Sequence, residues 1–237
     1  MKALLIGHGK MGKLIESMAG EFGIEIAGII EYGDTLSKKN LHGIDVAIDF
    51  SSPDHILDRI ETVSQEKIPL VIGTTGWDQD MEAAHAIIRK NTSAMLTAAN
   101  FSFGVALFCK LVKYAAHLFA KFDHYDVALF EQHHRQKKDH PSGTAKNLGK
   151  IVLSEMPRKK EVITSCPHGE IDPSHLHITS LRVGHHPGEH TVIFDGPDDT
   201  IRLTHSARSR HDFARGALLG AKWIMGKSGS FTMEDLV

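Results

Sequence analysis

Two adjacent histidines, His133 and His134, precede Lys137, and a Pro141-Ser142-Gly143-Thr144 turn follows closely. Imidazole titrates near neutral pH, so histidine gives up a proton without extreme tuning, and lysine supplies a fixed cation or a second donor. Neighbouring side chains on a strand point to opposite faces, so the two histidines take different tasks, one at a reacting atom and one on a substrate carboxylate. Asp139 orders the loop. Ser142, Gly143 and Thr144 open a helical pattern, where hydroxyl and backbone donors receive an anion. These residue types describe a site that binds a small dianion and hands it a proton. No metal is assigned, because adjacent histidines beside a lysine lack a clean ligand spacing. A Ser-His hydrolase would need a G-x-S-x-G elbow, and an RNA-binding loop over 133–138 would need interleaved aromatics; neither pattern accompanies these residues.

A second stretch, Gly7-His8-Gly9-Lys10-Met11-Gly12, has the form G-x-G-x-x-G. It lies between an apolar run and a helical pattern. There the first glycine permits a tight turn, the second lets a pyrophosphate approach the backbone, and the third lets helix and strand pack closely. Glu31 ends the next apolar run, nineteen residues past Gly12, where an acidic residue takes the adenine ribose hydroxyls. Tyr32 follows it, rather than an arginine able to hold a 2′-phosphate, although Lys38 and Lys39 come soon after. The pattern favours NAD(H), with NADP(H) as the alternative. Turns at Gly73-Thr74-Thr75-Gly76 and Ala98-Ala99-Asn100-Phe101-Ser102 each follow an apolar run, at the strand ends where ligands of doubly wound sheets bind.

These residues need a frame. Short apolar runs at 3–6, 25–30, 45–50, 70–72 and 94–98 alternate with helical patterns at 11–21, 53–66 and 79–90, which implies βαβ units and a parallel sheet. A long apolar helix is expected at 103–121. Beyond it, runs at 125–132, 161–164, 176–183, 190–194 and 200–205 show partial alternation, which suits an open sheet with one exposed face. Helical pattern returns at 143–155 and 212–225. The expected fold is α/β: a Rossmann-type parallel-sheet domain over 1–102 and 211–237, and an α+β substrate-binding and oligomerisation domain over 103–210 with an open mixed sheet.

Composition bounds the function classes. A net charge of −2 gives no global attraction to nucleic acid. Two isolated cysteines in 237 residues suit a reducing compartment rather than a disulfide framework. No apolar run approaches the ~20 residues of a membrane span, and the apolar start at 1–6 is too short for a signal peptide. A cytoplasmic enzyme with a small-molecule partner is expected.

The stretch Glu131-x-His133-His134-x-x-Lys137-x-Asp139-x-Pro141-Ser142-Gly143-Thr144-Ala145 closely resembles the signature of the 4-hydroxy-tetrahydrodipicolinate (dihydrodipicolinate) reductase family of lysine and diaminopimelate biosynthesis. Gly9-x-Met11-Gly12, Asp49-Phe50-Ser51, Gly73-Thr74-Thr75-Gly76, residues 98–102 and Gly188-Glu189-His190-Thr191 resemble that family's other motifs, so the likeness spans nearly the whole chain. The resemblance implies an NAD(P)H-dependent reductase that delivers hydride to the unsaturated ring of a dicarboxylate, giving tetrahydrodipicolinate. It further implies domain closure and a homotetramer built through the open sheet. His133 and Lys137 would be the proton donors, and His134 with the Ser142-Gly143-Thr144 turn would hold substrate carboxylate. Gly7, His8, Gly9, Lys10, Met11, Gly12, Glu31, Gly73, Thr74, Thr75, Ala98, Ala99, Asn100 and Phe101 would hold the cofactor. Arg210 resembles an arginine near the active-site hinge. Two positions depart from the family pattern: His140 stands where a small residue is usual, and Ala106 where a polar one is common. The competing readings are another Rossmann dehydrogenase acting on an imino or keto dicarboxylate, and a nucleotide-sensing regulator, which would have no use for proton donors at 133–137.

Overall fold

The structure is a computed structural model that describes residues 1–166 and 168–237. The chain divides into two compact units, Met1–Phe103 with Arg210–Val237, and Gly104–Ser209. The first begins with β1 (Lys2–Ile6), α1 (Lys10–Ala19), β2 (Glu25–Ile30), β3 (Val46–Asp49), α2 (Ile56–Gln65), β4 (Leu70–Ile72), α3 (Met81–Asn91) and β5 (Ala94–Thr97). Then come α4 (Phe103–Phe119), β6 (Asp126–His133), α5 (Gly143–Glu155), β7 (Glu161–Ile163), β8 (His175–Arg182), β9 (Glu189–Asp195) and β10 (Thr200–Ser206). The chain returns to the first unit with α6 (His211–Trp223), β11 (Gly229–Phe231) and α7 (Met233–Leu236).

The first unit is a wholly parallel sheet in the order β11-β5-β4-β3-β1-β2. Parallel strands need helical crossovers, which cover both faces and bury the strands end to end; β3 and β4 have no exposed residue. On one face Ile56, Ile60 and Val63 of α2 and Ile88 of α3 pack on Leu4, Ile6, Leu70 and Ile72. Each such side chain contributes about 1.5–3 kcal/mol of burial. On the other face α6 lies beside α1 and against β3 and β4. Because every strand points the same way, the turns that follow β1 to β5 line one edge of the sheet. The order reverses between β1 and β3, and a crevice opens at such a switch point.

Two details differ from the sequence expectation. A helix from residue 53 was expected, but α2 starts at Ile56, because His55 sits in the left-handed region at φ 56° and interrupts the helical path. The sheet also gains β11 from the C-terminal tail, followed by the short α7; neither was foreseen. Gly229-Ser230-Phe231 has no readable period, and it forms a strand only by pairing with β5.

The second unit is a five-stranded mixed sheet in the order β10-β9-β6-β8-β7, antiparallel on the β9 side of β6 and parallel on the β8 side. Val127 and Leu129 of β6, Ile178 of β8, and Val192 and Phe194 of β9 pack against Phe108 and Val112 of α4 and Leu148 and Val152 of α5. Alternation sends Phe130, Leu181 and Ile193 to the opposite face, where no helix among the described residues of this unit covers them; Leu181 is 45% exposed.

Candidate active site

Strand β6 carries the unusual chemistry. Its buried face reads Val127, Leu129, Glu131, His133, so two ionisable groups continue an apolar row. Spacing by two puts Glu131 and His133 on the same side, and His133 Nδ1 bonds the Glu131 carboxylate. Arg182, the register partner of His133 on β8, clamps that carboxylate with both arms of its guanidinium, at 3.0 and 2.8 Å. The Ser142 amide donates to it as well, at 3.3 Å. Burial pushes the Glu131 carboxyl up, but the bonds from Arg182, Ser180 and His133 prevail and hold it at about 2. An ionised carboxylate only accepts hydrogen bonds, so Nδ1 of His133 must carry the proton. In the neutral ring Nε2 is then a bare acceptor, and it can donate only from the imidazolium. Burial lowers the His133 pKa, against the raising effect of Glu131. The space beside Nε2 is kept by Gly188, at φ 144°, where an added Cβ would stand 2.9 Å from Nε2.

His190, opposite Glu131 on β9, joins the cluster. Its Nε2 lies 2.9 Å from Ser142 Oγ, and its ring centroid lies 5.1 Å from that of His133. Burial pushes its pKa down to about 3, so at neutral pH it is uncharged. Its Nδ1 and that of His134 are buried and bonded to nothing among the described residues, as is common where a ligand completes a site. Lys137 Nζ bonds Asp139, two residues on in the same loop, at 2.8 Å. Ser142 is almost fully buried and caps α5, accepting from the Ala145 amide at 3.2 Å while it contacts His190. Gly143 and Thr144 open the helix, and its first amides have no intrahelical acceptor. His140 is exposed and lies outside this buried network. One ligand atom each from Glu131, His133 and His190 lies within 4.8 Å of the others. Arg182 already neutralises the carboxylate of that trio.

In the first unit, a cleft of about 1130 Å³ is lined by Gly7, His8, Gly9 and Glu31, with Phe50 to Ser52 from the turn after β3. Gly7 turns at φ 90°, and a Cβ there would press on the Phe50 carbonyl oxygen at 2.6 Å. A Cβ on Gly12 would collide with the Gly7 carbonyl oxygen, so helix and strand can pack only through a bare Cα. Gly9 is different: a Cβ there would meet no protein atom within 4 Å. Gly9 is also the N-cap of α1 and offers no side-chain cap, while Lys10 and Lys13 put positive charge at a helix start that favours negative. Open backbone, uncapped amides and cations all fit a phosphate, so these residues suit a dinucleotide.

The remaining expected cofactor residues sit along the same carboxyl edge but are partly engaged by the protein. Gly73 packs under the Phe50 ring, and Thr74 is buried with its hydroxyl 2.9 Å from Asp49. Asp49 in turn pairs with Arg59 at 2.8 Å. Thr75 and Ala99 are exposed, Asn100 accepts from the Ser102 amide at 2.8 Å, and Phe101 is buried. Lys10 and Met11 begin α1, and Arg210 immediately precedes α6. The roles of Glu131, Arg182 and His190 were not foreseen in the sequence. Glu131 and His133 share a strand face by spacing alone, but Arg182 and His190 enter only through strand register.

A doubly wound sheet with a glycine turn open to a phosphate, followed along the chain by a unit holding a buried imidazole, suits an oxidoreductase with a nicotinamide nucleotide cofactor. Residues 1–101 match the family described as dihydrodipicolinate reductase, N-terminus, and residues 104–237 the one described as dihydrodipicolinate reductase, C-terminus. The chain belongs to the dihydrodipicolinate reductase family. It is 37% identical over 239 residues to the 4-hydroxy-tetrahydrodipicolinate reductase of Christiangramia forsetii, covering 100% of this chain and 98% of that one. It is 38% identical over 252 residues to the protein of the same name from Zymomonas mobilis, covering 100% and 97%. A solved dipicolinate-bound dihydrodipicolinate reductase from a Paenisporosarcina species shares the fold, with a TM-score of 0.82 at 22% identity over the full length of both chains. An amine dehydrogenase from Mycobacterium smegmatis shares it more loosely, with a TM-score of 0.62 at 10% identity over 99% and 95% of the two chains. Among the described residues, no helix is long and apolar enough to cross a membrane.

Proposed function

We propose that His133 is the proton donor of a reduction in which the second unit binds a cyclic dicarboxylate and the first binds the nicotinamide nucleotide. The chain is a dihydrodipicolinate reductase, an oxidoreductase of lysine and diaminopimelate biosynthesis. The observation that carries the proposal is the Arg182–Glu131–His133 row, which fixes the proton on Nδ1 and leaves Nε2 facing the space beside Gly188. The bound nucleotide supplies a hydride. With the condensation product of pyruvate and aspartate semialdehyde, the ring hydroxyl would leave as water to give the unsaturated ring, and hydride added to that ring would leave an electron pair on the conjugated carbon–nitrogen system, which the proton from Nε2 would neutralise. Two substrate carboxylates would raise the His133 pKa, so binding itself would charge the donor that burial keeps neutral beforehand.

Lys137 serves as a second cation or donor beside the substrate. The unpaired Nδ1 of His134 and the first amides of α5, at Gly143 and Thr144, receive a carboxylate, with Ser142 holding the helix start in place. In the first unit the 7–12 turn takes the pyrophosphate and Glu31 the adenosine ribose. Residues 73–75 and 98–101 flank the nicotinamide half. Glu31 with Tyr32 beside it favours NADH over NADPH. The uncovered sheet face bearing Phe130, Leu181 and Ile193 supports a homotetramer, which light scattering on the purified chain checks.

The central test follows NADH and NADPH oxidation with the condensation product of pyruvate and aspartate semialdehyde. Turnover is expected with both nucleotides, at lower KM for NADH. Absence of turnover with either nucleotide, or faster turnover on an acyclic imino or keto dicarboxylate, overturns the substrate reading.

A further inference from the structure

His8 stands between two glycines whose roles the backbone explains, yet its own side chain is bonded at both nitrogens. Nδ1 lies 3.2 Å from Oε1 of Glu31, and Nε2 lies 2.7 Å from Oε2 of Glu16. The turn after β1, helix α1 and the end of β2 are therefore joined through one imidazole. His8 is the enclosed member, with a side chain 19% exposed, against 44% for Glu16 and 66% for Glu31. Glu31 is thus a surface carboxylate with one oxygen tethered. Its backbone is fixed as well, since its amide donates to Asp34 at 2.9 Å. Lys38, seven residues past Glu31 in the chain, pairs with Glu66 at 2.8 Å.

Two vicinal hydroxyls bind best to a carboxylate already held in place, because a free glutamate must give up rotamer freedom on binding. We propose that His8 positions Glu31 for the adenosine ribose through the Glu16–His8–Glu31 bridge, and so sets the preference for a nicotinamide dinucleotide without a 2′-phosphate. The inference rests on the reading of Glu31 as the ribose carboxylate. Position and charge make opposite predictions. If His8 acted only as a cation, its removal would leave Glu31 more repulsive to a 2′-phosphate, and the preference would widen. If it acts by holding Glu31, its removal frees the carboxylate to swing away, and the preference narrows.

The test is direct titration of NADH and NADPH binding to the full-length chain by calorimetry, for the wild type, His8→Ala, His8→Asn and Glu31→Ala. Wild type is expected to bind NADH more tightly. His8→Ala is expected to weaken NADH about threefold to fivefold, the range of a partly exposed charge pair, and to narrow the NADH/NADPH ratio by about as much. His8→Asn, whose amide nitrogen falls near the place of Nδ1 without the charge, is expected to keep most of the wild-type ratio. A ratio that widens or stays put in His8→Ala while Glu31→Ala abolishes it overturns the positioning role and leaves the ribose reading intact. So does an Asn variant that behaves like Ala. A ratio unchanged in Glu31→Ala, or equal affinities in the wild type, removes the ribose reading and this proposal with it.

Discussion

The charges around His133 are enclosed: Glu131 is wholly buried and its ion pair with Arg182 is bidentate, while the charges at the glycine turn, Glu16, Glu31 and Lys10, lie at the surface. In the second unit the proposed donor must be oriented and its proton placed, and a buried row in which Arg182 and Ser142 hold Glu131, and Glu131 holds His133, suits that. In the first unit the proposed ligand is long and flexible, and bare glycines with open amides suit it, beside a Glu31 tethered by His8. The comparison suggests where substitutions act. At the buried row they change chemistry and stability together. At an open cleft position such as Gly9 they are expected to change affinity with little effect on the fold.

The largest test of that contrast is His133→Gln. Turnover is expected to fall at least about a hundredfold, as for loss of a general acid, while NADH affinity moves by no more than about twofold. Comparable losses in both would mean that His133 is not the donor. Next is Arg182→Met, which leaves a buried carboxylate without its cation. A stability loss of about 3 kcal/mol is expected in urea unfolding, and a change below about 1 kcal/mol would mean that the pair is solvated after all.

Acid stability comes third, and its sign follows from two depressed pKa values. His190, ordinarily near 6.5, titrates at about 3 in the folded chain, so between these values the unfolded chain binds the extra proton and stability falls as pH drops. Glu131, ordinarily near 4.5, titrates at about 2, so its contribution is whole above 4.5 and is lost on the way down to about 2. Each group contributes a slope of up to about 1.4 kcal/mol per pH unit within its window. His190→Gln should flatten the limb between about 6.5 and 4.5; an unchanged limb would place the acid-labile group elsewhere. The smallest effect is at Gly9. Gly9→Ala meets no protein atom, so it should alter stability by about 1 kcal/mol or less while it weakens NADH about tenfold, as titration of the folded variant would show. Unaltered NADH affinity would mean that the backbone there is not approached by the ligand.

The sequence and the structure agree most where a strand is buried on both faces. Residues 45–50 and 70–72 read as apolar runs, and β3 and β4 lie within them, because a covered parallel strand has no polar side to blur its pattern. Agreement fails where structure comes from distant pairing. The three residues of β11 carry no signal of their own. His133 stood out by type and neighbours, and its bond to Glu131 follows from strand spacing. Arg182 lies 51 residues beyond Glu131 and His190 arrives on a third strand, so neither could be placed beside it without the register of β6 with β8 and β9. His8 was visible inside a motif, but its two bonds depend on how α1 folds back over the turn.

Gly188 gives the buried row one more property. The His133 ring is shielded on its Nδ1 side by charged partners and is approachable at Nε2 partly because a single residue has no methyl group, which at φ 144° most side chains could not place there without strain. Reactivity at this imidazole therefore depends on an absence as much as on its neighbours. One added carbon at position 188 would act as a built-in plug, silencing the ring while leaving Arg182, Glu131 and His133 all present.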